Sequence, residues 1–139
     1  MKIFILLALI TTFLFSSERT IETKIYKLII HSVFPQKKEI KIWTNDPQKN
    51  NSLKDISWIK IVKEPQNADL LILLDPIKSP YKALIFTSSY RALKHYKKSA
   101  IGGFYWQKGR PNILFLETNL DKHNIKLPNS MNEYVESSI

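Results

Sequence analysis

Apolar residues recur along the chain with two different spacings, which distinguish helices from strands. Four aliphatic residues near the start follow helical spacing: Ile21, Ile25, Leu28 and Ile29. They predict an amphipathic helix over residues 18–34 that packs on a sheet through this face and ends at Pro35.

Runs of β-branched, aromatic and aliphatic residues between turn signals predict the strands. These runs cover residues 39–44, 57–62, 70–74, 83–86, 101–106 and 113–116. The run from Leu70 to Leu74 shows no alternation, which indicates a strand buried on both faces, and we predict it to be the central strand of a parallel sheet. The polar residues 48–54 predict a loop with at most one helical turn.

A β-hairpin is predicted near the carboxyl terminus. Residues 107–110 form a polar turn between two strands, and Gly109 can adopt positive φ there. Gly102 and Gly103 open the first of these strands and permit a bulge or the close approach of another backbone, with a simple bend as the alternative. The predicted fold class is therefore α/β: a mixed, mainly parallel sheet flanked by helices, with a C-terminal β-hairpin.

Three polar groups resemble helix caps. Thr87, Ser88 and Ser89 offer side-chain oxygens to a helix over residues 90–98. Asn119 is predicted to cap a turn over residues 120–123. Ser130 is predicted to cap a last helix over residues 131–137, with Glu133 completing a capping box.

The amino terminus has the layout of a secretory signal peptide, with Lys2 followed by the apolar run 3–15 and two serines. We predict that residues 1–17 are this signal peptide and that residues 18–139 form a single domain. A retained amino-terminal anchor is the alternative, since Leu14 and Phe15 occupy positions where cleavage sites favour small residues. Export from the cytoplasm is the favoured interpretation of this layout.

Composition removes several classes of chemistry. The chain has no Cys, so it has neither a thiolate nucleophile nor a disulfide. Its three glycines are too few for a phosphate-binding loop, and no serine elbow is present. His31 and His95 are isolated in the sequence. We therefore predict a protein that is not an enzyme and has no metal and no cofactor.

The formal net charge is +9, and a basic balance can indicate binding to nucleic acid, anionic lipid or an acidic ligand. Binding to nucleic acid requires retention in the cytoplasm, so an exported chain is predicted to have no nucleic-acid partner. On the predicted helix 90–98, Arg91, Lys94 and Lys98 form a candidate surface for an acidic partner. A solvated charged face is the alternative.

A ligand site is also a candidate, because open α/β sheets bind ligands beyond the carboxyl ends of their strands. Polar residues follow three predicted strands at that position: Asp46, Asp75, Ser88 and Ser89. Ordinary caps and turns are the alternative reading of these residues.

The carboxy-terminal motifs resemble those of YfiR-like periplasmic proteins. The resemblance lies in Gly102-Gly103 before an aromatic strand, Lys108-Gly109-Arg110 at the turn, residues 116–120, and Ile125-Lys126-Leu127. It implies a periplasmic regulatory protein that controls a membrane-bound diguanylate cyclase or sensor kinase by protein contact, and so affects cyclic-di-GMP signalling. It also leaves a homodimer open. The alternative function is a small-molecule sensor or solute-binding module of similar build.

Overall fold

A computed structural model describes residues 19–78 and 81–139 of the chain. The predicted signal peptide, residues 1–17, lies outside the described residues. Within them the helices are α1 (19–33), α2 (Pro47–Leu53), α3 (Tyr90–His95) and α4 (Glu117–Lys122). The strands are β1 (Ile40–Thr44), β2 (Ile59–Ile61), β3 (Leu70–Leu73), β4 (Leu84–Thr87), β5 (Gly102–Gln107), β6 (Arg110–Leu116) and β7 (Val135–Glu136). Pro65–Asn67 and Asn129–Tyr134 form 3-10 helices.

The strands form one sheet in the order β2-β1-β3-β4-β5-β6-β7. Strands β1 to β5 run parallel, β6 is antiparallel to β5, and β7 is parallel to β6. This mixed, mainly parallel sheet with flanking helices confirms the predicted α/β class. All four residues of β3 are buried, as the unbroken aliphatic run indicates. It is the middle one of the five parallel strands β2, β1, β3, β4 and β5, which confirms the prediction of a central strand in the parallel sheet.

The predicted hairpin is present as β5 and β6. Its two-residue turn has positive φ at both positions, 51° at Lys108 and 74° at Gly109, as a tight turn compatible with strand twist requires. The register runs without a bulge from Gly102 opposite Phe115 to Gln107 opposite Arg110. A Cβ on Gly102 would lie 2.3 Å from the carbonyl oxygen of Leu114, so this glycine serves the close approach of another backbone.

Helix α1 packs on the sheet through a different face from the predicted one. Glu22, Tyr26, Ile29, Ile30 and Val33 are buried. Ile21 and Leu28, two of the four residues used to predict the face, are 44% and 51% exposed. The buried face is therefore shifted by about one residue from the predicted one. The Tyr26 ring packs against the Phe104 ring, with the ring centres 5.1 Å apart, and residues on the same face of the helix are buried with it.

The polar segment predicted to be a loop is helix α2, which was missed. Asp46 caps this helix by accepting a hydrogen bond from the Gln48 N–H at 3.1 Å, and Pro47 occupies the first turn. Both are strong helix-start signals. They outweigh the low helix propensity of the two asparagines that follow.

Three predictions near the carboxyl terminus were wrong in detail. Helix α3 ends at His95 instead of Lys98. Asn119 lies inside α4 and does not cap it; its side chain binds the carbonyl oxygens of Lys97 and Ala100. The predicted last helix is a 3-10 helix followed by β7, and no side chain caps it. Burial of Met131 and the pairing of β7 with β6 explain this outcome, because tertiary contacts override a local capping signal.

Candidate functional site

A cleft lies at the edge of the sheet where the parallel strands β1, β3, β4 and β5 have their carboxyl ends. The segments at these ends line it: residues 46–49, Leu74, residues 88–90 and residues 105–107. The cleft has a volume of about 1030 Å³, at the upper end of the roughly 300–1,000 Å³ of small-molecule sites. Its position is the usual ligand site of an open α/β sheet.

Asp46 connects two of the segments that line the cleft. Its Oδ1 accepts the N–H of Gln48 at the start of α2, and its Oδ2 accepts the hydroxyl of Ser88 after β4 at 2.9 Å. The residue is only 5% exposed. One buried carboxylate thus fixes the β1–α2 turn against the β4–α3 turn.

Glu22 of α1 accepts three side-chain hydrogen bonds beside the cleft. Lys49 of α2 and the Trp106 indole of β5 donate to Oε1, the latter at 3.2 Å, and Ser52 of α2 donates to Oε2. These four residues are called the Glu22 network below. Because Lys49 and Trp106 also line the cleft, the network connects the cleft to the first helix.

The charges at this position do not balance. Glu22, Asp46 and Lys49 have side chains that are 9%, 7% and 6% exposed, respectively. The ammonium of Lys49 pairs directly with Glu22, and its Nζ is 4.0 Å from Oδ2 of Asp46. Buried charges are normally paired, yet here two carboxylates share one ammonium. Within the described residues this ammonium lies closer to Glu22 than to Asp46, so the cluster has one more carboxylate than ammonium groups.

The Tyr26 hydroxyl lies close to this charge cluster. It is fully buried and has no hydrogen-bond partner within the described residues. The ammonium of Lys49 lies 6.0 Å from the centre of its ring. Burial raises the pKa of Tyr26 well above its ordinary value, and the charges of Glu22 and Asp46 raise it further. The phenol is therefore neutral within the hydrophobic core of the protein.

Tyr90, Tyr105 and Trp106 form an aromatic wall on the cleft. The rings of Tyr90 and Tyr105 are 5.7 Å apart in a tilted arrangement. Burial, followed by the proximity of Tyr90, raises the pKa of Tyr105. The wall offers flat apolar surface directly beside the buried polar groups, the combination that binds small amphipathic molecules.

The four predicted ligand-site residues are divided by the structure. Asp46, Ser88 and Ser89 line the cleft. Ser89 also caps α3, accepting the N–H of Ala92 at 3.1 Å. Asp75 is exposed, lies outside the lining, and forms a 3.2 Å salt bridge with Arg91. The structure therefore confirms Ser89 as a helix cap that also lines the cleft, and ligand binding by Ser89 stays a prediction.

The three predicted partner-binding residues are also separated. Arg91 is exposed and paired with Asp75. The ammonium of Lys94 lies 5.8 Å from the centre of the Tyr90 ring, at the outer side of the aromatic wall. Lys98 follows the end of α3 and lies beside α4, where its carbonyl oxygen accepts a hydrogen bond from Lys122. Arg91 and Lys94 therefore remain on one helix, and Lys98 belongs to another surface.

Sequence reasoning missed Glu22, Lys49 and Trp106. The signal for Glu22 is a charged residue at the position where the helical spacing that contains Tyr26, Ile29 and Val33 requires a core residue. Lys49 was missed because α2 was predicted to be a loop. The sequence pattern predicts Trp106 in a strand, but nothing in the sequence indicates which residue its indole N–H meets.

The described lining residues include no His, and the Ser88 hydroxyl donates to a carboxylate. They hold no pair of nucleophile and base in the usual sense. No group of three or more His, Asp or Glu side chains within residues 19–78 and 81–139 is placed to hold a metal ion. The arrangement supplies hydrogen-bonding groups, charge and aromatic surface for a bound molecule.

Comparison with protein-family models, with curated proteins and with solved structures finds no match to this chain. The fold and the cleft define the class: a mixed α/β protein with an open cleft at the carboxyl ends of its parallel strands. In the described part of the chain, no helix has both the length and the apolar character needed to cross a bilayer. The resemblance to YfiR-like proteins stays a prediction from the motifs.

Proposed function

We propose that this chain is a small-molecule sensor, a non-enzymatic α/β protein that binds a metabolite in the cleft. The observation that carries this proposal is the position of the cleft at the carboxyl ends of β1, β3, β4 and β5, with an aromatic wall beside buried polar groups. The two glutamines on its rim, Gln48 and Gln107, are exposed and make no side-chain hydrogen bond within the described residues. Their amides are available to a ligand.

The Glu22 network connects a molecule bound in the cleft to helices α1 and α2. A ligand that contacts Trp106 changes the position of an indole that donates to Glu22 of α1. The same carboxylate holds α2 through Lys49 and Ser52. Occupancy of the cleft is thus coupled to the packing of both helices, which is what a sensor requires.

A thermal-shift screen of the full chain against a metabolite library tests this proposal, because a ligand that binds the native state raises the apparent melting temperature. Gln48→Ala and Gln107→Ala should weaken the shift several-fold. Gln66→Ala is the matched control, since Gln66 is exposed in the 3-10 helix that precedes the amino end of β3. The absence of a shift with every compound would count against the sensor function.

The second candidate function is the one that the family resemblance implies. In it, the chain is a periplasmic regulatory protein that controls a membrane-bound diguanylate cyclase or sensor kinase by contact. The basic residues of α3 support this candidate, because the Arg91 side chain is 79% exposed and Lys94 lies beside it on the same helix. Such a surface suits an acidic face of the partner.

Co-purification from membranes tests this second function. We expect Arg91→Glu combined with Lys94→Glu to abolish capture of the membrane partner. Lys60→Glu combined with Lys63→Glu, at exposed positions within and just after the edge strand β2, makes the same charge change elsewhere and should leave capture intact. Deletion of the gene should also alter cyclic-di-GMP levels. Light scattering of the purified chain decides between a monomer and the homodimer.

Export itself is tested by fractionation and by amino-terminal sequencing. We propose that the chain is found outside the cytoplasm and that its mature form begins near residue 18. Recovery of the intact chain from the cytoplasm would remove the periplasmic location and reopen binding to nucleic acid.

A further inference from the structure

The charge balance of the cleft indicates which chemical class of ligand it takes, provided that the cleft is the sensor site proposed above. Asp46 lines the cleft and is 5% exposed. Its carboxylate accepts hydrogen bonds from two neutral donors, the Gln48 N–H and the Ser88 hydroxyl. The nearest cation within the described residues is the Lys49 ammonium, 4.0 Å from its Oδ2.

Lys49 does not serve as a hydrogen-bonded cationic partner of Asp46. Its ammonium is hydrogen-bonded to Glu22 and lies 4.0 Å from the nearer Asp46 oxygen. Moving it toward Asp46 would leave the buried carboxylate of Glu22 with only the donors from Ser52 and Trp106. The two carboxylates therefore compete for one cation, and a second positive charge would satisfy both.

The aromatic wall favours the same kind of ligand. Cations bind over the faces of Trp and Tyr rings, and this attraction grows when water is excluded. Lys94 already lies over the Tyr90 ring, 5.8 Å from its centre. This distance is within the range of a cation–π contact. Tyr105 and Trp106 contribute further rings to the cleft lining that also contains Asp46.

We propose that the cleft binds a small organic cation, a primary amine whose ammonium pairs with Asp46 and whose flat or apolar body lies against Tyr90, Tyr105 and Trp106. A carboxylate or phosphate ligand would instead approach the buried charge of Asp46 and be repelled. The net charge of the chain, +9, does not oppose this selection. Charges more than about 8 Å away are largely screened at physiological ionic strength, and the contact charges decide.

A series of three similar compounds tests the proposal on the full chain by isothermal titration calorimetry. The probes are 2-phenylethylamine, 2-phenylethanol and 3-phenylpropionate, which share one ring and differ in charge. We expect the amine to bind at least tenfold more tightly than the alcohol, and the carboxylate to bind least. Equal affinity for amine and alcohol, or tighter binding of the carboxylate, would overturn the charge assignment.

Two variants test whether the preference for the amine depends on the carboxylate of Asp46. Asp46→Asn keeps the size of the side chain and an oxygen for the Gln48 N–H, and should lower the amine affinity at least tenfold while changing the alcohol affinity less than twofold. Asp75→Asn removes an exposed carboxylate outside the lining and should change neither affinity. An equal loss with both variants would overturn the role of Asp46. Should Asp46→Asn fail to fold, the three-compound series on the unmodified chain still decides.

The failure of this inference differs from the failure of the sensor function. A metabolite screen that yields only neutral or anionic ligands, whose shifts are weakened by Gln107→Ala, leaves the sensor function in place and refutes the organic cation. A screen that yields no ligand of any charge refutes both.

Discussion

Lys49 of α2 donates a hydrogen bond to Glu22 of α1, and both side chains are less than a tenth exposed. The pair joins two helices that are separated in sequence by strand β1. Ser52 and Trp106 complete the hydrogen bonding of the carboxylate, so the ion pair is well satisfied on the glutamate side.

Lys49→Met should destabilise the protein by about 3–5 kcal/mol, because it leaves the carboxylates of Glu22 and Asp46 buried without any ammonium. The free energy of unfolding in urea measures this effect. The double variant Glu22→Gln, Lys49→Met should recover part of the loss, since it removes one of the two charges. A single-variant loss below about 1 kcal/mol, as for an exposed pair, would show that the pair is solvated.

Gly102→Ala should be among the most destabilising glycine substitutions in the hairpin. Its Cβ would lie 2.3 Å from a backbone oxygen of β6, which cannot move without breaking the pairing of the strands. We expect a loss of at least about 3 kcal/mol, the upper end of overpacking effects. Gly109→Ala is the control. Its Cβ would meet nothing within 4 Å, so only the positive φ opposes it, at about 1–2 kcal/mol. Urea unfolding of the two variants should show this order, and the reverse order would contradict it.

Asn119→Ala should destabilise the protein, because it removes a buried side-chain amide from α4. The Asn119 side chain donates to the carbonyl oxygens of Lys97 at 2.9 Å and Ala100 at 2.7 Å, and so closes the segment between α3 and β5. Removing the donors from one buried and one partly buried acceptor should destabilise the protein by about 2–4 kcal/mol. Asn112→Ala removes a single exposed hydrogen bond and should change stability by less than about 0.5 kcal/mol. Similar losses in thermal unfolding of both variants would argue against this role.

The free energy of unfolding should fall at alkaline pH because of the buried phenol of Tyr26. Burial raises the pKa of its phenol in the folded state above the ordinary value of 10.0. Above that ordinary value the unfolded chain releases this proton while the folded chain keeps it, so stability falls as pH rises. Urea unfolding between pH 8 and pH 11 measures the fall.

Tyr26→Phe separates this contribution from the deprotonation of lysines. The variant removes a buried hydroxyl that has no partner within the described residues, so it should be as stable as the original chain at pH 8. It should also lose less stability than the original chain up to pH 11. Identical pH profiles for the two proteins would mean that the phenol does not titrate differently on unfolding.

The sequence by itself determined the elements whose signals are local. The aliphatic run of β3 marks a strand buried on both faces, and Gly109 marks the turn of the hairpin. Local steric preferences and the period of the side chains decide these features wherever the segment lies. Asp46, Ser88 and Ser89 were likewise placed near a candidate site, because the carboxyl ends of parallel strands share one edge of the sheet.

Only the tertiary structure decided which face of α1 is buried and what lies beside the cleft. Two adjacent stripes of α1 are apolar, and the fit of Tyr26 against Phe104 selects one of them. That choice brings Glu22 to Lys49 and to Trp106, which is 84 residues away in sequence. A buried charge needs hydrogen-bonding partners, because it is removed from water. Only the tertiary structure brings together the residues that supply them, since these residues are far apart in the sequence.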